Sequence, residues 1–310
     1  MVTGGAGFLG SHLCARLRRD GDRVLCLDDL SSGRREHLLR FDGDDDFSFL
    51  ARDVREPLVD LPDVDRIYHL ACPGAWSAWQ QDPIGTLRTC FLGTLHALEL
   101  AARGGARLLL ASTAEVYGDP EVHPQPEAYR GAVDPLGPRA CYDEGKRVAE
   151  TLCATFRRCH GVDARVARIF NTYGPRMAAE GVIDAFVRRC LDDRALTVFG
   201  EGEQTRTFCF VDDMVEGLIR LMAHPEDPGP INLGHPEEIT IVELAHAVKR
   251  ATASSSIVER APARTDDPSR RCPEVSRARD RLGWSPRVGL DEGLRRTVEA
   301  YRTDAPGREG

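Results

Sequence analysis

Lysine is almost absent from this 310-residue chain: of 41 basic side chains only Lys146 and Lys249 are lysine, the rest being arginine. A lysine that survives such a bias is a candidate for a task arginine cannot perform. Long apolar runs are lacking too; none approaches the roughly 20 residues needed to cross a bilayer, which argues against a membrane protein. No basic segment followed by an apolar one opens the chain, so nothing there reads as a secretory leader. The ten cysteines (Cys14, Cys26, Cys72, Cys90, Cys141, Cys153, Cys159, Cys190, Cys209 and Cys272) include no C-x-x-C pair and no clustering with histidine. We therefore expect no metal, reduced thiols and a cytoplasmic setting. Positive charge is in deficit, 41 basic against 49 acidic groups for a net charge of −8, which argues against nucleic acid as a partner. Internal repeats and low-complexity tracts are missing, and the acidic run at Asp42, Asp44, Asp45 and Asp46 reads as a solvated loop.

What is present is a globular composition, 42% hydrophobic and 29% charged, long enough for one large or two modest domains. Apolar runs at 2–3, 24–27, 47–50, 67–70, 108–111 and 166–169 alternate with helical spacing at 10–19, 84–102 and 142–159. That alternation predicts an α/β fold, a doubly wound parallel sheet with helices on both faces. Beyond about Gly174 the pattern turns irregular, with strand-like pieces at 196–199, 207–210 and 231–233 and helices near 211–222 and 241–251. We expect residues 1–173 to form one domain and 174–310 a smaller mixed α/β lobe, some of whose strands return to the first. Only three residues precede the first glycine, so the first strand is abbreviated or the natural chain starts upstream. The stretch 120–138 is long for a connection and is expected to be functional, and the tail after Arg302 is expected to fray.

Gly4, Gly7 and Gly10 stand where the first strand should turn into a helix. Glycines so spaced allow the tight turn, close approach of a pyrophosphate and close helix packing, as in Rossmann-type sheets. Asp28 ends the second strand about 20 residues on, where a carboxylate accepts ribose hydroxyls and repels a 2′-phosphate, so NAD is expected rather than NADP. Asp53, after the third strand, is placed to meet an adenine edge or to be a solvated loop carboxylate. Tyr142 and Lys146 lie one turn apart on one helix face. An ammonium beside a phenol favours the phenolate, lowering a pKa that starts near 10, so Tyr142 is a candidate general base. Ser112 and Thr113 end the fifth strand; the Thr113 hydroxyl can donate to the same sugar oxygen, and Glu115 can contact the neighbouring carbon.

Four stretches carry a more specific resemblance: Ala106-Arg-Leu-Leu-Leu-Ala-Ser-Thr113, Glu115-Val-Tyr-Gly-Asp-Pro-Glu-Val-His-Pro-Gln125, the run from Gly137 to Thr151 and Arg165-Val-Ala-Arg-Ile-Phe-Asn171. They resemble the extended short-chain dehydrogenase/reductase family of nucleotide-sugar enzymes over residues 1 to about 301, and within it the branch that decarboxylates UDP-glucuronate. The resemblance implies a retained NAD, a catalytic set of Thr113, Tyr142 and Lys146, oxidation at C4, loss of CO₂ from the resulting β-keto acid, reprotonation at C5 and return of the hydride to give UDP-xylose. It places Glu115 near C5 and the carboxylate and makes Arg271 the arginine that closes the site and delivers the proton. It assigns Phe8, Leu9, Asp29, Ser32, Gly33, Val54, Leu70, Ala71, Cys72 and Thr89 to the cofactor, beside Gly4, Gly7, Gly10, Asp28, Asp53, Tyr142 and Lys146. Asn171, Thr197, Gln204 and Arg206 match positions that hold UDP, and Arg88 one near the substrate. A homodimer packing the segments 84–102 and 142–159 into a four-helix bundle is also implied.

Ala114 stands where a sugar 4,6-dehydratase has its aspartic acid, which argues against dehydration. A UDP-hexose 4-epimerase and a catalytically silent NAD(H)-binding regulator stay as alternatives; Glu115 and Arg271 favour decarboxylation over epimerisation, and the intact Thr113, Tyr142 and Lys146 argue against silence. The chain departs from the family pattern at 72–79, at Cys90 where asparagine is usual, at Val59 where tyrosine is common, and in the loop 176–186, which is short and lacks a basic residue beside the cofactor. Looser NAD binding is the expected effect of the last.

Overall fold

The computed structural model describes residues 1–177, 181–262 and 270–303. The six apolar runs form β1 (Val2–Thr3), β2 (Val24–Asp28), β3 (Phe47–Ala51), β4 (Arg66–His69), β5 (Arg107–Thr113) and β6 (Ala164–Ile169). Further along come β7 (Thr172–Tyr173), β8 (Leu196–Phe199), β9 (Thr205–Thr207), β10 (Cys209–Phe210), β11 (Ile231–Leu233), β12 (Glu238–Thr240), β13 (Val258–Ala261) and β14 (Arg270–Arg271). Seven strands make one parallel sheet in the order β11-β6-β5-β4-β1-β2-β3. Strand order reverses between β1 and β4, and at such a switch point the loops leaving the carboxyl ends of both strands open a crevice. The loops there are residues 4–7 and 70–75.

Both faces of the sheet are covered, so its central strands are continuous apolar runs. In β5, Leu109 faces a core with Leu13, Leu17, Met214 and Leu218, while Leu108 and Leu110 face a second core with Leu98, Ala149 and Cys153. The period of two along a strand separates the two sets. The helix Ala140–His160 buries Lys146, Ala149 and Cys153, one face at helical spacing, and so delivers Lys146 to the end of β5.

The expected helix 84–102 follows its path in three parts, Pro83–Arg88, a π-helical turn at Thr89–Gly93 and Thr94–Gly104. The expected strand 207–210 is two strands. β9 pairs with β12 and β14, whereas β10 pairs with β7 in another sheet, and Phe208 between them lines a cleft. Sequence periodicity also missed the helices Val182–Leu191, Ser276–Leu282 and Leu290–Thr303. β11, far along the chain, joins the edge of the large sheet beside β6. The acidic loop is not simply solvated: the Arg18 guanidinium holds Asp44 with two hydrogen bonds of 2.8 Å. The tail after Arg302 falls almost wholly outside the described residues.

Candidate active site

The glycine loop is tight because backbone passes through it. A Cβ on Gly4, whose φ is +69°, would lie 2.8 Å from the Ala71 nitrogen, and one on Gly10 would lie 2.0 Å from the Gly4 carbonyl oxygen. The helix Phe8–Arg19 starts at Gly7 with no side-chain cap, leaving the N–H groups of its first turn, Phe8 and Leu9 included, to serve an anion. Across the crevice the Asp28 carboxylate accepts the Ala6 and Leu30 N–H groups at 2.9 Å each. Burial raises its pKa, opposed by these two hydrogen bonds. Each oxygen keeps a lone pair for a diol, and a Cβ on Gly33 would lie 2.7 Å from Oδ1. Uncapped donors, a glycine cradle and a carboxylate at the second strand's end fit a dinucleotide such as NAD. Leu70 and Ala71 close the floor, the Ala71 N–H donating to Thr3 Oγ1 at 3.2 Å. Val54 is buried, Asp29 is turned back onto Ser31, Ser32 is exposed, and Thr89 Oγ1 donates to the Gly85 carbonyl.

At the reacting centre the Thr113 hydroxyl reaches the Tyr142 phenol. The expected effect of Lys146 on that phenol is corrected. Lys146 donates its ammonium to the Ala111 carbonyl at 2.9 Å and lies 5.9 Å from the centre of the Tyr142 ring. The phenol's pKa is pushed well above its ordinary value, first by burial and then by Cys72 and Cys90. The backbone oxygen takes the ammonium, and negative charge on Cys72 and Cys90 opposes the phenolate.

Glu115 is clasped between two guanidiniums, Arg139 and Arg271. Burial pushes its pKa up, but Arg271 and Arg139 outweigh it and hold the carboxylate below its ordinary range. Arg271 is itself buried, donates to the Gly118 carbonyl at 3.2 Å, and keeps its Nε without a partner. Asp143, 3.9 Å from Arg139 Nε, is pushed up to about 7 by burial and by Glu115. Two guanidiniums face an ionised Glu115 and an Asp143 that burial keeps largely protonated below about pH 7, so below that pH the cluster carries a net positive charge that suits a substrate carboxylate. Over this cluster Trp79 stacks on Tyr142, ring centres 4.1 Å apart and planes 13° apart, and Arg139 lies 5.6 Å over both Trp76 and Trp79. The departing segment 72–79 is thus a wall of the reacting centre.

A cleft of about 500 Å³ opens beside it, lined by Phe8 and by all four residues expected to hold UDP: Asn171, Thr197, Gln204 and Arg206. Its volume is that of a small-molecule site. β14 runs parallel to β9 with Arg271 in register with Arg206, so one small sheet joins this cleft to the Glu115 clasp. Aromatic lining from Phe199, Phe208 and Tyr173 was invisible to motif reading, although Phe199 and Phe208 flank the Gln204–Arg206 pattern.

Other expectations are revised. Asp53 is half-buried in its loop and paired with Arg55, which donates at 2.8 Å and holds its pKa down by that hydrogen bond. Arg88 is exposed on its helix and does not line the cleft. Val59 is 72% exposed. The loop 176–186, of which 178–180 lie outside the described residues, brings its own base: Arg176 Nη1 donates to Ser11 Oγ at 3.0 Å, at the first turn of the glycine-loop helix. Tertiary contact also gathers His123, Glu238 and Cys272 within 4.8 Å, a grouping that spacing along the chain hides.

The family model described as the NAD dependent epimerase/dehydratase family matches residues 1–234. UDP-glucuronic acid decarboxylase 1 of Danio rerio is 50% identical over 303 residues, 97% of this chain and 72% of the relative. UDP-glucuronic acid decarboxylase 3 of Arabidopsis thaliana is 50% identical over 305 residues, 97% of this chain and 88% of the relative. Among solved structures, UDP-glucose 4-epimerase of Thermotoga maritima with UDP-glucose superimposes at a TM-score of 0.90 and 30% identity, covering 97% of this chain and 98% of that one. The dTDP-glucose 4,6-dehydratase of Streptomyces venezuelae with NAD bound gives 0.89 and 29%, covering 98% and 96%.

Proposed function

The chain belongs to the NAD-dependent epimerase/dehydratase family, and from that premise we infer the activity of its decarboxylase relatives: NAD-dependent conversion of UDP-glucuronate to UDP-xylose through a 4-keto intermediate. One observation carries this reading: identity of 50% to UDP-glucuronic acid decarboxylases over 97% of the chain, against 30% to the epimerase that shares the fold. The site's chemistry supports it.

We assign the crevice of Gly4, Gly7, Gly10 and Asp28 to the dinucleotide and the cleft of Asn171, Thr197, Gln204 and Arg206 to UDP. Bound NAD supplies a hydride acceptor that returns the same hydride, so there is no net oxidation. Tyr142 is the group that moves the proton of the sugar 4-hydroxyl. Lys146, one turn along the same face and held on the Ala111 carbonyl, is assigned to the cofactor beside it. With C4 as a ketone, the C6 carboxylate is β to a carbonyl, and breaking the C5–C6 bond leaves the electron pair on O4 as an enolate. Thr113 and Tyr142 donate hydrogen bonds to that oxygen, the kind of fixed stabilisation that carries most of such catalysis. Arg139 and Arg271, only partly neutralised by Glu115, orient the departing carboxylate, and Arg271 serves reprotonation at C5.

Residues 1–173 act as the NAD-binding part and 174–310 mainly as the nucleotide-sugar lobe, with β11 returning to the large sheet. We further propose a homodimer: Ile84, Leu87, Phe91 and Val148, on the two helices expected at the interface, are 62%, 42%, 42% and 39% exposed. Sedimentation as a monomer at micromolar concentration would refute it. A reducing cytoplasm suits ten free thiols. Among the described residues no helix is long and apolar enough to cross a membrane.

Proton NMR of the protein with NAD⁺ and UDP-glucuronate in D₂O tests the activity. UDP-xylose carrying deuterium at C5 is expected. An unchanged glucuronate tube beside an equilibrating UDP-galactose tube would replace decarboxylase with 4-epimerase.

A further inference from the structure

Two of the ten cysteines meet at the reacting centre. Cys72 follows β4 at the mouth of the crevice, and Cys90 sits in the π-helical turn Thr89–Gly93. Their sulfurs are 3.3 Å apart. Cys90 is buried, whereas Cys72 is only partly so. A π-turn inside a helix frequently marks a functional position, and here it turns a thiol toward its partner. The other buried cysteines, such as Cys14, Cys26, Cys153 and Cys209, pack into the two apolar cores. We propose that Cys72 and Cys90 form an oxidant-reactive dithiol, a modification site at which hydrogen peroxide closes the pair to a disulfide and stops turnover.

Cys72 is the attacking sulfur. The hydrogen bond from Cys90 and then the ammonium of Lys146 favour its thiolate, lowering its pKa against the cost of burial, while Cys90 is pushed up by the same hydrogen bond. A thiolate beside a cation with some exposure is the reactive form of cysteine. Its sulfur attacks one peroxide oxygen and the O–O bond breaks. Cys72 becomes a sulfenic acid, and the departing hydroxide takes the proton that Cys72 gave up and leaves as water. The Cys90 sulfur then attacks Cys72, the S–O bond breaks, and the hydroxide released takes the Cys90 proton as a second water. Two thiols lose two electrons and two protons, and the peroxide is reduced to two waters.

The bond has a mechanical consequence. A disulfide needs an S–S length of about 2.0 Å, so the two sulfurs must draw together from the 3.3 Å contact. Cys90 presses on the turn that carries Tyr142 and Lys146: a Cβ on Gly145 would lie 3.0 Å from both its Cβ and its Sγ. Cys72 adjoins Ala71, which is tied to Thr3 in the crevice floor. Displacing reacting groups by about an ångström costs roughly 100-fold in rate. Oxidation also removes the thiolate that faces Lys146. The loss of turnover rests on the decarboxylase reading above; the formation of the disulfide does not.

The test treats the NAD-loaded protein with hydrogen peroxide and follows peptide mass and UDP-glucuronate turnover in parallel. Expected are a linked peptide joining Cys72 to Cys90, lighter by two hydrogens than its reduced parts, a fall in turnover of about 100-fold, and recovery of both with dithiothreitol. Cys90→Ser, or Cys90→Ala if the serine variant fails to fold, should turn over in the reduced state, form no link and lose the dithiothreitol-reversible inhibition. Absence of the 72–90 link in oxidised wild type, or a complete link with unchanged turnover, would overturn the proposal. If reduced wild type does not turn over UDP-glucuronate at all, the activity assignment fails, and the linked peptide still decides whether the dithiol exists.

Discussion

Asp143→Asn should change how the stability of this protein depends on pH. The carboxyl is 5% exposed, its Oδ1 has no partner, and its pKa is raised from 3.8 to about 7 by burial and by Glu115. A carboxyl raised on folding binds its proton more tightly in the folded than in the unfolded chain. Its contribution is therefore complete below pH 3.8 and is lost as pH rises through 7. Each pH unit in that window costs about 1.4 kcal/mol, so from pH 5 to pH 8 the wild type should lose about 2.5 kcal/mol that the asparagine variant keeps. For a chain of this size that is a relative shift in Tm of about 4 °C. Paired denaturant titrations and melts of the two proteins at pH 5 and pH 8 measure it. The variant should gain on the wild type as the pH rises. Parallel pH profiles would refute the reasoning, because they would mean that Asp143 titrates alike folded and unfolded.

Tyr142→Phe should lower kcat by about 10²- to 10⁴-fold, the usual worth of a proton-transfer group, with NAD content unchanged by absorbance; a near wild-type rate would remove Tyr142 from its assigned role. Arg206→Ala should weaken UDP binding by roughly 10- to 100-fold, the worth of a charge-assisted hydrogen bond, and raise KM far more than it lowers kcat; unchanged affinity in calorimetry would move UDP out of the cleft. Gly10→Ala puts a Cβ 2.0 Å from the Gly4 carbonyl oxygen and should yield protein without bound NAD, so normal NAD content would contradict the close approach in the crevice.

Much of this molecule was legible one residue after another. Strands 24–27 and 108–111, the glycine loop, Asp28 at a strand end and Tyr142 with Lys146 on one face follow from spacings of two, three and four residues, which the backbone geometry of strand and helix imposes locally. Those spacings determined the parallel sheet and the cofactor crevice. They could not decide what lies opposite a given side chain. Lys146 shares a face with Tyr142, yet its ammonium goes to Ala111. Glu115 reads as a lone loop carboxylate until Arg139 and, 156 residues away, Arg271 close on it. Register between β9 and β14 sets Arg271 beside Arg206, and the packing of a π-turn against the loop after β4 brings Cys72 to Cys90. Pairs so far apart in the chain meet only because whole elements pack. Charge, burial and pKa at the reacting centre are properties of those meetings, which is why the sequence by itself determined the scaffold and the tertiary structure alone decided the electrostatics of the site.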